Sequence, residues 1–106
     1  MKPAAAFLLG TLCLSSCATN TATETEWMPK GGFVGDEKTA VAIAVAVWNP
    51  IYGENEISTQ KPYTATLLSD NTWHVCGTLP VDRLGGVANA VIAKRDGKIL
   101  SVWHTQ

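Results

Sequence analysis

The side chains able to do chemistry are few and far apart in this sequence. His74 and His104 fall on separate predicted strands, and Asp70, Asp82 and Asp96 fall in predicted turns. His74 and Cys76 share one sheet face at i, i+2, which brings two ligands toward one metal, but a zinc site needs at least a third protein donor and none is evident. The patterns H-E-x-x-H, C-x-x-C and G-x-S-x-G are all missing. Gly31, Gly32 and Gly35 form a glycine cluster, yet the lysine and hydroxyl of a P-loop do not follow it and no strand precedes it, so it reads as a turn. The expectation is a chain with no catalytic residue, no metal site and no cofactor.

The aromatic residues offer two alternatives. Trp48, Tyr52, Tyr63 and Trp73 line the mouth of a ligand pocket between helix and sheet, or they close the core; a small domain has little volume to spare, which favours closure. Trp103 alternates with Leu100, Val102 and His104 and so faces the opposite side. If that side is outward, Trp103 and Val91 are the candidate partner-binding residues, an apolar anchor of the kind found at protein interfaces.

The elements that must position these residues are legible from propensity and period. Asp36 caps a helix, Glu37 suits its positive end, and alanines carry it onward, giving about three turns. Val41, Ile43, Val45 and Val47 are spaced by two, which is also a strand pattern, but the alternating alanines favour helix. The helix is apolar on every side, with Val41, Ile43, Val45, Val47 and Trp48 as its expected buried set and cover required on more than one face. Pro50 and Gly53 end or kink it, and 54–62 is a polar loop with room for a short turn. From Tyr63 the period becomes two. Tyr63, Ala65 and Leu67, a Ser69-Asp70-Asn71 turn, then Trp73, Val75 and Leu79 predict one hairpin. Residues 87–94 and 98–104 around Arg95-Asp96-Gly97 predict a second. The fold class is α+β, one main helix packed on a curved four-stranded antiparallel sheet.

The chain has 106 residues, 46% of them apolar and 16% charged, which bounds it to one small domain with enough apolar content to fold. Its net charge of −1 gives no basis for nucleic-acid binding through a basic surface. Acidic residues concentrate in 24–56 and basic ones from Lys61 onward, which reads either as a solvated surface with random unevenness, the favoured alternative, or as an acidic end and a mildly basic one.

Residues 1–17 read differently. Lys2 precedes the apolar run AAAFLLGTLCL, of signal-peptide rather than membrane-spanning length. Leu14-Ser15-Ser16-Cys17 then resembles the lipobox of bacterial lipoproteins, which implies acylation of Cys17 and a lipid-anchored domain in the cell envelope; an ordinary secretory signal cleaved near Ala18 is the alternative. In Gram-negative sorting, Ala18 after the lipidated cysteine implies the outer membrane, facing the periplasm. Residues 18–30 are then a flexible tether, polar and threonine-rich at their start, and 31–106 the domain. Cys76 has no intramolecular partner on this reading and is expected to be buried, with an intermolecular bridge as the other possibility.

The core segment resembles the small NTF2-fold immunity proteins of bacterial polymorphic toxin systems. The resemblance runs from about Gly32 to His104. Its most specific parts are Trp48-x-Pro50-Ile51-Tyr52-Gly53, Trp73-x-Val75-x-Gly77-Thr78-Leu79-Pro80 and the Asp96-Gly97-Lys98-Ile99-Leu100 turn. It implies an NTF2-like or cystatin-like fold and a non-enzymatic protein that neutralises a cognate toxin. A small-ligand-binding or enzymatic NTF2-like envelope lipoprotein is the alternative. Members commonly carry charge along the outer side of the helix, where Ala42, Ala44 and Ala46 stand here. The partners expected are therefore a toxin and, through Cys17, a membrane, with no nucleic acid and the oligomeric state open.

Overall fold

The computed structural model describes residues 26–106. The expected signal peptide, the expected lipobox with Cys17 and most of the expected tether lie outside the described residues. Element order is α1 (Glu37–Tyr52), α2 (Glu54–Ser58), β1 (Thr64–Leu67), β2 (Thr72–Cys76), β3 (Ala88–Ala93) and β4 (Ile99–His104). The four strands form one open antiparallel sheet in the order β1-β2-β3-β4, and α1 lies across β1, β2 and β3.

Asp36 starts α1 as expected. Its backbone is extended and its Oδ1 accepts the Thr39 N–H at 2.8 Å; the Thr39 side chain, and then this N–H, hold the carboxyl below its ordinary pKa. The helix is longer than its sequence suggests, with 16 residues continuing through Pro50 to Tyr52. Pro50 sits in the last turn on the exposed side, where the loss of one hydrogen bond matters least, and Gly53 closes the end with its N–H on Asn49 O at 2.9 Å. Gly53 has a φ of 97°, which lets α2 begin directly after it. The expected polar loop therefore contains a short helix, and that helix contributes Ile57 to the core.

The buried face of α1 also differs from expectation. Ala40, Ala44 and Trp48, at i, i+4 and i+8, are fully buried, whereas Val41, Ile43, Val45 and Val47 pack only partly and Ala42 and Ala46 face solvent. Ala44 is thus an inner residue rather than part of the outer side. Ala40 and Ala44 on the helix share the buried core with Ala88 and Ala90 on β3, so small side chains stand on both sides of the seam between helix and sheet. Trp48, Trp73, Val75, Ile92 and Val34 fill the space around that seam.

The first hairpin closes through Leu68 and Thr72, with Asn71 left-handed at φ 62° and Thr72 Oγ1 donating to Asp70 Oδ1 at 2.6 Å. Strand β2 stops at Cys76, so Leu79 belongs to the following loop and is exposed. The second hairpin turns where expected. Gly97 has a φ of 79°, and Asp96 Oδ1 accepts the Lys98 N–H at 3.0 Å. A bulge between Val91 and Ile92 pairs Ile92 with Ile99 and Val91 with Ser101, which leaves Leu100 unpaired and exposed.

The segment before α1 is a strap rather than a free loop. Phe33 and Val34 donate their N–H groups to Arg95 O and Lys94 O at 2.9 and 3.0 Å, and Trp73 donates its indole N–H to Val34 O at 2.7 Å. Val34 is buried, a core member that no periodic pattern announces.

Candidate functional site

The sheet is one residue thick, so its outer face carries the alternate residue of each strand. In β3 these are Asn89 and Val91, which pair with Trp103 and Ser101 on β4 and with Cys76 and His74 on β2. The two residues singled out for partner binding, Val91 and Trp103, therefore lie on one face. Val91 is half-buried and Trp103 is 38% exposed.

His74 stacks on Trp103 over β3, with ring centroids 5.6 Å apart and planes within 5°. Beneath them Asn89 is buried, and its Nδ2 donates to Val87 O at 3.0 Å. Asn89 Oδ1 is thereby the acceptor that faces His74 Nε2 at 2.9 Å, so Nε2 carries the proton in the neutral ring. This bond and the stack fix the imidazole as a support for the indole. It is a rigid aromatic plate on a polar base, flanked on β1 by Thr64 and Thr66, which pair with Cys76 and His74.

Cys76 is a free thiol, half-buried rather than buried, with Thr64 Oγ1 3.3 Å from its sulfur. His74 and Cys76 share the outer face, and no group of three potential metal ligands occurs among the described residues. His104 is on the other side, opposite Ala88, with its ring 5.3 Å from Tyr52 and its Nδ1 donating to Thr105 O at 2.8 Å. Asp70 and Asp96 are occupied in their turns. The histidines and aspartates do not converge.

Trp48, Tyr52, Tyr63 and Trp73 close the interior. The rings of Trp48 and Tyr63 lie 5.9 Å apart, and the Tyr63 hydroxyl donates to Ile57 O at 2.8 Å. Burial pushes the Tyr63 phenol above its ordinary pKa.

A second apolar surface went unanticipated. The loop between β2 and β3 holds Val81 and Leu84 fully exposed, while Arg83 between them reaches back to Glu56 Oε1 at 3.0 Å and Thr59 Oγ1 at 3.2 Å. Arg83, then Gln60, hold the Glu56 carboxyl below its ordinary value of 4.5. A depressed carboxylate stabilises the fold above the unfolded pKa and loses that contribution as pH falls through the folded one. Thermal melts should therefore show a small loss of stability on acidification through the lower carboxylate range. Glu56→Gln should remove that part of the pH dependence, and an unchanged profile would mean the pair is not formed.

One long helix laid on an open four-stranded antiparallel sheet, with an aromatic plate on the uncovered face, is an α+β domain of the NTF2-like type. The chain belongs to the family described as NTF2 fold immunity protein, whose sequence model matches residues 39–106. Its general role is that of an immunity protein, which acts on a toxin partner. Comparison with curated proteins and with solved structures found no match.

Proposed function

We propose that this chain is a non-catalytic lipoprotein of the cell envelope that neutralises a cognate toxin by covering the toxin's active surface. Its contact surface is the outer face of the sheet, centred on Trp103 with Val91 beside it. The observation that carries this reading is the His74–Trp103 plate, held rigid over buried Asn89 and open to solvent. An aromatic ring already fixed loses little entropy on binding, which is what an interface anchor requires. Family membership supports the toxin as the occupant.

The test first seeks a large secreted protein with a variable toxic C-terminus among the neighbouring open reading frames and then uses that toxic domain. Co-expression should protect cells, and calorimetry should give a stoichiometric complex. Trp103→Ala should weaken binding by about 30-fold, a hot-spot loss of roughly 2 kcal/mol, while leaving the melting curve nearly in place. Unchanged affinity in both Trp103→Ala and Val91→Glu would remove the outer face from the interface. Protection that outlasts complete loss of complex formation would remove binding as the mechanism.

Anchoring is tested separately. Radioactive palmitate should label the wild-type chain in its host, with the label lost in Cys17→Ser. Fractionation should place the labelled chain in the outer membrane, and labelling indifferent to Cys17→Ser would refute the anchor.

A further inference from the structure

We propose that the cup between the strap at 29–34 and the β3–β4 turn binds a phosphate-type oxyanion through Lys30, Lys94 and Arg95. The cup has a volume of about 310 Å³, and Met28, Gly31, Gly32 and Asn71 complete its walls. No carboxylate lines it. Among the described residues the ion pair formed is Arg83 with Glu56, so these three cations have no carboxylate partner there. In a chain whose net charge is −1, three uncompensated cations around a concavity make a local attractor for anions.

The walls are fixed before any ligand arrives. Lys94 N–H donates to Asn71 O at 3.1 Å, Gly32 N–H donates to Pro29 O at 2.9 Å, and Lys94 Nζ donates to Gly31 O, which leaves Lys94 with protons to spare. Gly32 has a φ of 87°, and a Cβ there would fall 2.5 Å from Lys94 O, so the strap hugs the turn only because this residue is glycine. Charge count and volume favour phosphate over a lone carboxylate, because three cations match its greater charge and extra acceptor oxygens, with Arg95 offering a planar fork. A second depression of about 480 Å³ adjoins it and shares Arg95 and Met28, with Trp27 and Phe33 as an apolar shelf and Glu26 as the one carboxylate of its lining, which forms no ion pair with Arg95. The ligand class is therefore a phosphate group with an apolar neighbour, supplied by a soluble phosphate ester or by a phospholipid headgroup. The strap lies outside the residues matched to the family, and the site does not depend on the toxin reading.

A chain starting at residue 18 keeps every described residue, including the whole buried core from Val34 to Ile92. Titrating it with inorganic phosphate against chloride at constant ionic strength should give saturable amide shifts at Gly31, Gly32, Asn71 and Arg95. In Lys30→Ala/Arg95→Ala, where both side chains are exposed and the backbone bonds persist, affinity should fall at least about tenfold, as expected for the loss of two charge-assisted contacts. Lys61→Ala, which removes an exposed cation elsewhere, should not change it. Sedimentation with phosphatidylglycerol but not phosphatidylcholine vesicles, lost in the double variant, would assign the headgroup as source. Phosphate binding without vesicle binding would assign a soluble ester. Absence of shifts at tens of millimolar phosphate, or shifts equal in the double variant, would overturn the site.

Discussion

Trp48→Ala is expected to lower stability by about 3–5 kcal/mol, a large share of the roughly 5–15 kcal/mol that holds a domain together. Trp48 is fully buried within the core cluster, with its ring beside that of Tyr63. Its N–H donates to Asn89 O at 3.2 Å, so truncation leaves a cavity and also removes one hydrogen bond from a buried carbonyl. Trp48→Phe separates the two losses. It restores much of the volume but not the donor, and should recover more than half of the stability lost in Trp48→Ala. Urea unfolding followed by circular dichroism measures both variants. An unchanged midpoint for Trp48→Ala would mean that α1 does not pack on the sheet through this residue.

Gly77→Ala is expected to cost about 2–4 kcal/mol, although it adds only a methyl group. A Cβ at position 77 would lie 2.5 Å from Gln60 Oε1 and 2.7 Å from Gln60 Cβ, and Gln60 is itself wholly buried. That glutamine cannot move without loss. Its Oε1 accepts the Ala88 N–H at 2.9 Å, its Nε2 donates to Glu56 Oε2 at 3.3 Å, and its carbonyl accepts the Thr78 N–H at 2.7 Å. Displacing the side chain would leave the N–H at the start of β3 buried and unpaired. The pair is therefore coupled, and Gly77→Ala combined with Gln60→Ala should cost less than the two single changes added together. Strict additivity in equilibrium unfolding would show that the two residues do not touch.

How much of this was legible in the sequence follows the chemistry of each residue. The Asp36 cap, the Asn71 turn and the Gly97 turn rest on local backbone demands, and those are written in residue type at fixed offsets. Parity along one strand sets Trp103 opposite Val102 and His104, but which of the two sides faces outward is decided by the helix packing on the sheet. Val34, Ile57 and Gln60 were missed because each is buried by long-range contacts from a segment with no period of its own. The inner face of α1 was misread for a different reason. Size was taken as the sign of burial, but small side chains stand on both sides of the seam between helix and sheet, and the larger β-branched residues were left at the flanks. The cup was illegible because its cations come from the strap and from a turn more than sixty positions later, and only tertiary structure brings them together.

Asn89 is where the two sides of the sheet meet. Its carbonyl receives the Trp48 indole from the interior, while its amide steadies His74 on the exterior. Elsewhere the outer side chains can be exchanged without disturbing what packs against the helix. On the proposed contact face, recognition is thus free to drift toward new targets while the scaffold stays constant, with residue 89 as the position where a new specificity would be felt as a loss of folding.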